Sequence, residues 1–417
     1  MKLNSKWIPL FTSNFLGVFN NNFFKTLICL IAIQWVAKGN ESLIVSLASG
    51  LYVLSYIFFS PLAGRLSKTR YKKKIMLQAR FVELFLIIIG SFGFYIESVY
   101  LVMACIFLLG LVSTLFSPSK YGLIRDIGGK EGISFGTGTL EMFTFFGALL
   151  GPLLATIISD HYNFYLMAGL FVVISLSSLF SIWRLKVSET EPMKKSDDTI
   201  IPFVFEFKAF KFASSIKGLN LIILGLSSFW MVGSFIQMNL LVHCPKTLGM
   251  TNTQTGYVLT VSAMGIGLGS FLAGIISKGK VELGLTPIGG FGMTIALLLL
   301  FFLHPGGILF GLLIFITAMF CGMYMVPLSA SVQNSVEGRK QGDMIAYSNF
   351  MIFLLIFISA ALFAVITKQF GTNAIFIFLV VFILTISILM IKYVPEMFNR
   401  FKNLLKISKT EDKNDVG

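Results

Sequence analysis

The stretch Phe19-Asn20-Asn21-Asn22-Phe23-Phe24-Lys25 places three amides and an ammonium group in the middle of the first long apolar run of this chain. A membrane-spanning helix is surrounded by about 30 Å of hydrocarbon, and a charge at that depth costs roughly 2.5–3.5 kcal/mol even on lenient insertion scales. A lipid-facing position is therefore unfavourable. The cluster predicts a polar interior lined by Asn21, Asn22 and Lys25, or else a polar clamp between packed helices.

The composition is that of a polytopic membrane protein. Of 417 residues, 56% are hydrophobic and only 12% are charged, whereas soluble chains carry about 25% charged residues. The net charge of +14 does not indicate a nucleic-acid partner, because the basic residues lie between the hydrophobic runs. The four cysteines have neither paired nor metal-type spacing, so we interpret them as packing residues.

Twelve apolar runs are each long enough to span a bilayer. They lie near residues 8–36, 42–64, 75–95, 98–117, 134–159, 162–183, 219–243, 254–277, 285–303, 307–330, 345–367 and 372–394. If the N-terminus is cytoplasmic, 29 of the 33 Lys and Arg residues fall in cytoplasmic segments. The positive-inside rule then predicts an all-α protein with both termini in the cytoplasm.

The chain divides into two related halves. The segment 63–68 repeats at 273–278, Pro118 repeats at Pro327, and Gly129-Lys130 repeats at Gly338-Arg339, all about 210 residues apart. Such a parallel duplication of a six-helix unit is typical of the major facilitator class, in which the substrate site lies between the halves near the midplane. We predict four segments: a bundle over 1–183, a linker over 184–218, a second bundle over 219–398 and a cytoplasmic tail over 399–417.

The linker carries an apolar stripe of its own. Phe203, Phe207 and Phe210 recur at helical spacing, and Lys208 and Lys211 lie elsewhere on the same helix surface. This pattern predicts an amphipathic helix at the membrane interface.

No motif for chemistry on a nucleotide, cofactor or metal emerges. Residues 274–280 have Walker A spacing, but Val281 follows where Ser or Thr is needed, and the segment follows a membrane span and not a strand. We therefore expect no cofactor and no enzymatic activity, and transport that is passive or driven by a gradient.

Several polar side chains within the runs are candidate site residues. Glu141 either forms a buried ion pair or caps a helix, or it binds a proton or a cationic headgroup. Lys25 is its candidate partner. Lys120 is either an ordinary cytoplasmic lysine or a phosphate ligand. Glu83 and Arg80, three residues apart, suggest an ion pair at the interface. Four amides could pack or bind substrate: Gln237, Asn239, Gln333 and Asn349.

These residues resemble a known family. Ser117-Pro118-Ser119-Lys120-Tyr121-Gly122, followed by Gly138-Thr139-Leu140-Glu141, is similar to the SPxKYG…NGLxE signature of bacterial lysophospholipid transporters of the LplT type. Phe19-Asn20-Asn21-Asn22 resembles their FxDN element, and Ser228-Phe229-Trp230 and Val326-Pro327-Leu328 resemble parts of their seventh and tenth spans. The resemblance implies a facilitator that moves lysophospholipid across the bacterial inner membrane for reacylation on the cytoplasmic side.

The chain departs from that family at two positions and from the general facilitator loop motif at a third. Asn21 replaces the family's Asp, and Gln237 stands where a span 7 arginine is common. The loop from Gly64 through Lys68 and Arg70 resembles the facilitator G-x-x-x-D-R-x-G-R-R motif, but Lys68 replaces its Asp. Gly64, Lys68 and Arg70 either gate the transporter, or the loop anchors it at the membrane by its positive charge.

The sequence thus predicts a monomeric inner-membrane transporter of lysophospholipid that is surrounded by membrane lipids and is served by a separate acyltransferase. The main alternative is a proton-coupled exporter of amphipathic drugs or other small molecules, in which Glu141 titrates. A membrane receptor or scaffold without transport activity is a third class, and it would leave the duplication and the buried polar groups unexplained.

Overall fold

The computed structural model describes residues 6–36, 40–189, 191–192, 202–277, 281–335 and 339–414. All regular structure in these ranges is helical. The helices are α1 Ile8–Ile31, followed by a 3-10 turn Ala32–Trp35, α2 Glu41–Thr69, α3 Lys72–Tyr95, α4 Val99–Asp160, α5 Phe164–Arg184, α6 Pro202–Ser214, α7 Leu219–Thr247, α8 Asn252–Ser277, α9 Leu285–Leu303, α10 Gly307–Asn334, α11 Arg339–Phe370, α12 Ala374–Tyr393 and α13 Pro395–Asn414.

Twelve helical stretches of the described chain are long and apolar enough to span a membrane, which confirms the predicted number. Two of them, Val99–Gly128 and Met142–Asp160, belong to the single helix α4. A straight helix would hold Ile124 and Gly136 about 18 Å apart, yet a Cβ on Gly136 would meet the Ile124 side chain. The chain therefore turns back between these residues, and α4 has two antiparallel arms.

The chain forms two compact units. One comprises Met1–Val204 with Met250–Tyr257, and the other comprises Phe205–Gly249 with Val258–Gly417. Residues 250–257 join the first unit through Asp160, whose carboxylate accepts hydrogen bonds from the backbone N–H groups of Asn252 (3.0 Å) and Thr253 (2.7 Å). The division between Val204 and Phe205 falls inside the segment 184–218 that the sequence suggests as a linker.

The duplicated positions have matching environments within each unit. Ala63 and Ala273 are both fully buried, and a Cβ on Gly64 or Gly274 would meet nothing within 4 Å. Pro118 and Pro327 both lie inside helices, α4 and α10. The halves therefore agree at these positions, while the side chains of the third repeated pair, Lys130 and Arg339, lie outside the described residues.

Two helices lie outside the twelve spans. In α6, Phe207 and Phe210 are exposed while Ala209 and Ala213 are buried, and the side chain of Phe203 lies outside the described residues. Helix α13 was not anticipated, because its sequence is polar and we expected a tail over 399–417. Arg400 fastens it, donating to the Val281 carbonyl (2.9 Å) and to the carboxylate of Glu396 (2.7 Å).

A carboxylate from beyond α5 caps the start of α3. The backbone N–H groups of Lys72 and Lys73 donate to Glu189 at 2.5 and 3.0 Å, and the Lys72 ammonium pairs with Asp126 at 2.7 Å. The first N–H groups of a helix have no partner within it, so an anion there is stabilising. The connection that follows Lys68 and leads into α3 is thus fixed within the first unit by the carboxylates of Glu189 and Asp126.

This cap gives a stability prediction. We expect Glu189→Gln to lower the free energy of unfolding by about 0.5–2 kcal/mol, because the helix N-terminus loses its charged acceptor. Thermal unfolding of the purified protein in detergent would measure the loss. The matched control is Glu191→Gln, which removes an exposed acid two residues later, and equal melting temperatures for the two variants would refute the capping role.

Candidate substrate-binding site in the first bundle

One face of α1 is polar from near its N-terminal end to beyond its middle. Asn14, Asn21 and Lys25 are spaced i, i+7 and i+11, which places them on one stripe of a helix. The first arm of α4 lies opposite and antiparallel, since Lys120 contacts Asn14 and Ser113, seven residues earlier, contacts Asn21. We call this pair of stripes the polar seam, made of Asn14, Asn21, Lys25, Ser113 and Lys120.

The end of the polar seam nearest the start of α1 holds a buried lysine. Lys120 is only 8% exposed, and its Nζ donates to the Asn14 Oδ1 at 3.1 Å. The Asn14 amide nitrogen in turn donates to the Thr144 hydroxyl (2.7 Å) and to the Leu140 carbonyl (3.4 Å). The asparagine is thus oriented by the second arm of α4 so that its oxygen faces the ammonium. Such a lysine is a cation inside the bundle and not only a charge at the membrane surface.

The middle of the polar seam is neutral. The Asn21 Nδ2 donates to the Ser113 hydroxyl at 2.9 Å, and the Tyr52 hydroxyl of α2 donates to the same oxygen at 3.3 Å. The Asn21 Oδ1 is buried and has no hydrogen-bond partner among the described residues. Tyr52 and Ser113 are half-buried, so this part of the seam is not completely closed.

The three consecutive asparagines have different roles. The Asn20 Nδ2 donates to Ser175 of α5 at 2.8 Å, which is a clamp between helices. Asn22 donates to the Val18 carbonyl of its own helix at 2.9 Å and is half-buried. Asn20 and Asn21 thus each bond a serine on a neighbouring helix, α5 and α4, and Asn21 is the one that lies in the polar seam.

Lys25 and Glu141 are not neighbours. The Leu140 carbonyl lies level with Asn14, and Asn14 lies eleven residues, about 16 Å along the helix axis, from Lys25. The backbone around Glu141 is therefore too far from Lys25 for the suggested pairing, which is wrong. The cation at that level is Lys120. The Glu141 side chain itself lies outside the described residues, and Lys25 is half-buried.

The Arg80–Glu83 ion pair on α3 is buried, whereas the sequence predicts it at the interface. Arg80 and Glu83 are 5% and 2% exposed and form a salt bridge about 12–16 Å along the helix from its start at Lys72, not at the interface. The Arg80 guanidinium also donates to the Ser13 hydroxyl (3.1 Å) and carbonyl (2.8 Å). The Glu83 Oε1 is buried and has no hydrogen-bond partner among the described residues.

Two further features hold this ion pair in place. The Arg80 guanidinium lies 4.0 Å from the Phe116 ring centroid, which is a cation–π contact, and it fills the space that a Cβ on Gly17 would need. Arg80 and Lys120 therefore approach consecutive residues of α1, Ser13 and Asn14. A charged i, i+3 pair within a long apolar run was the signal that could have revealed this depth, because lipid-exposed charges are costly there.

In the second unit the predicted residues are dispersed. Asn239 is completely buried, and both atoms of its amide group have no partner among the described residues. Gln237 is half-buried and Asn349 is exposed, while the Gln333 side chain lies outside the described residues. The predicted gating residues lie at the end of α2, where Lys68 and Arg70 are exposed.

Comparison with known proteins agrees with this architecture. The family model described as the Major Facilitator Superfamily matches residues 11–360 and 222–406. A protein named lysophospholipid transporter LplT from Escherichia fergusonii is 24% identical over 346 residues, which is 81% of this chain and 82% of that protein. The protein of the same name from Photorhabdus laumondii is 25% identical over 82% of this chain and 84% of its own length.

Solved structures support the fold. A POT family transporter in complex with a thioalcohol-conjugated peptide has a TM-score of 0.72 and 14% identity, covering 94% of this chain and 96% of its own. A bacterial homologue of the lysosomal transporter Spinster has a TM-score of 0.68 and 12% identity, covering 95% and 99%.

The twelve helices of the described ranges that could span a membrane, together with the match to the facilitator family model, define a multi-pass transporter of the bacterial inner membrane. The chain belongs to the Major Facilitator Superfamily. Its similarity to LplT-type members confirms the resemblance that the sequence motifs suggest.

Proposed function

We propose that this protein carries lysophospholipid across the inner membrane by alternating access and delivers it for reacylation by a separate acyltransferase. The relatives named lysophospholipid transporter LplT support this substrate. The observation that carries the proposal is the burial of Lys120, the cation of the SPxKYG-like motif, against Asn14. We further propose that the protein works as a monomer.

The polar seam offers a route for a phosphate. A lysophospholipid headgroup is an anionic phosphate that carries a polar or cationic group, and ammonium groups bind phosphate by charge-assisted hydrogen bonds. Lys120 and Lys25 lie on the seam about 16 Å apart along α1, which is about half the thickness of the hydrocarbon core. Asn21 and Ser113, between the two lysines, supply neutral polar contacts. In our proposal Lys120 binds the phosphate first and Lys25 binds it at the far end.

Aromatic side chains beside the polar seam suit the acyl chain. Phe15 and Phe19 on α1 are half-buried, with ring centroids 5.9 Å apart, and Phe15 also contacts Phe143 of α4 at 6.2 Å. Apolar area of this kind stabilises a single hydrocarbon chain by burial. A site with a charged end and an apolar wall fits an amphipathic molecule better than a small polar solute.

Uptake of labelled lysophosphatidylethanolamine into spheroplasts tests this function and its alternative. We expect cells that produce the protein to accumulate the lipid at least tenfold faster than cells without it, both before and after an uncoupler collapses the proton gradient. A proton-coupled exporter of amphipathic drugs, with Glu141 as the titrating group, would instead lose its activity with the gradient. Uptake equal to that of the empty cells would contradict the lysophospholipid proposal.

A further inference from the structure

The outer face of the first bundle has a groove between α3 and α5. It encloses about 1020 Å³ and lies on the side of α3 opposite the Arg80–Glu83 pair. Gln78 supplies a polar wall. The apolar wall is formed by Leu77, Phe81 and Val82 of α3 and by Leu176, Leu179, Phe180 and Trp183 of α5.

The walls of this groove are exposed although they are strongly apolar. Phe81, Phe180 and Trp183 are 64%, 52% and 63% exposed. All three lie on membrane-spanning helices, so the surroundings that cover them are hydrocarbon chains and not water. An apolar groove of this size suits one lipid acyl chain.

The ends of the two helices add positive charge at one mouth of the groove. Lys74 is four residues before Gln78 and seven before Phe81, so it continues the groove-lining stripe of α3. Arg184 follows Phe180 by four residues, and its guanidinium lies 5.2 Å from that ring centroid. Because α3 begins where α5 ends, both cations lie at the same mouth.

The nearby acid, Glu189, is held at the start of α3 and is not paired with Lys74 or Arg184 in the described contacts. Glu189 uses both carboxylate oxygens to accept the backbone N–H groups of Lys72 and Lys73, and Lys72 itself pairs with Asp126. Lys74 and Arg184 are both exposed. An anion at this mouth would therefore meet two cations, and apolar walls would continue from it into the membrane.

We propose that this groove is a binding site for an anionic phospholipid of the leaflet in which Lys74 and Arg184 lie, the cytoplasmic one on the predicted topology. One acyl chain occupies the groove, and the lipid phosphate lies between the two cations. The site lies on the opposite face of α3 from the groups that approach the polar seam. The bound lipid therefore stays with the protein and is not the transported molecule. The proposal does not depend on the identity of the substrate.

Native mass spectrometry of the purified full-length protein tests the site. The probes are phosphatidylglycerol and phosphatidylcholine with identical acyl chains, added in graded amounts to the protein in detergent. We expect the protein to retain one phosphatidylglycerol at concentrations where phosphatidylcholine is lost. Each lysine or arginine near an anionic surface contributes about 1 kcal/mol, so Lys74→Gln with Arg184→Gln should weaken that retention roughly 10- to 30-fold.

Two further variants make the result specific. Lys246→Gln with Lys368→Gln removes the same charge from other helices and should leave retention unchanged. Leu176→Trp fills the groove and should reduce retention of both lipids, with the melting temperature confirming that the variant is folded. Equal retention of the two lipids by the unmodified protein, or unchanged retention in the Lys74 and Arg184 variant, would overturn the proposal.

Discussion

Replacing Lys120 with methionine is expected to lower the rate of lysophospholipid uptake by about 10- to 100-fold. A hydrogen bond to a charged group contributes roughly 1.5–3 kcal/mol. Methionine keeps an unbranched side chain of similar length but has no ammonium group. The loss should fall mainly on substrate affinity at low lipid concentration if Lys120 binds phosphate in the ground state. Initial uptake rates in spheroplasts at several lipid concentrations would measure it.

Two controls separate binding from structure. Lys120→Arg keeps the charge and should retain more transport than Lys120→Met. Lys368→Met removes an exposed cation at the end of α11 and should transport at the unmodified rate. Near-normal uptake by Lys120→Met, at expression levels matched by immunoblot, would remove Lys120 from the site and with it the main support for the phosphate route.

Removing one member of the Arg80–Glu83 pair is expected to destabilise the first bundle by about 3–5 kcal/mol, because it leaves an uncompensated charge inside the membrane. Arg80→Met would leave the carboxylate of Glu83 without its counter-ion, and Glu83→Leu would leave the guanidinium without its own. Lower yield of folded protein and a lower melting temperature in detergent would measure the effect. Ser13 adds to the loss in Arg80→Met, because its hydroxyl and its carbonyl both lose the guanidinium donor.

The double variant decides how to interpret these losses. Arg80→Met with Glu83→Leu removes both charges, so we expect it to be more stable than either single variant. If it then folds and still transports, the ion pair holds α1 and α3 together and takes no part in transport. Additive losses in the double variant would contradict the pairing as the source of the instability.

The polar seam shows which features of the site can be predicted from local sequence and which cannot. Lys25, Lys120 and the asparagine run were all recognisable as costly groups within apolar runs, because the energy of burying a charge does not depend on which helix lies opposite. Their partners could not be read in the same way. Lys25 was paired with Glu141 from charge alone, whereas the contact between Asn14 and Leu140 puts the two residues at different depths.

Asn20 and Asn21 make the same point at adjacent positions. Their side chains are identical, but a helix turns 100° per residue, so one faces Ser175 of α5 and the other Ser113 of α4. No property of the sequence stretch itself shows which neighbouring helix each amide meets. The packing of the helices decides this.

The sequence by itself determined the number of spans, the duplication and the superfamily, because the length of an apolar run, the distribution of charge and the repetition of a motif are properties of the chain alone. Only the tertiary structure decided the depth of Arg80 and Glu83, the reversal within α4 and the residues that Lys120 meets. These depend on how helices distant in sequence pack together, and polar partners inside a membrane are chosen by that packing.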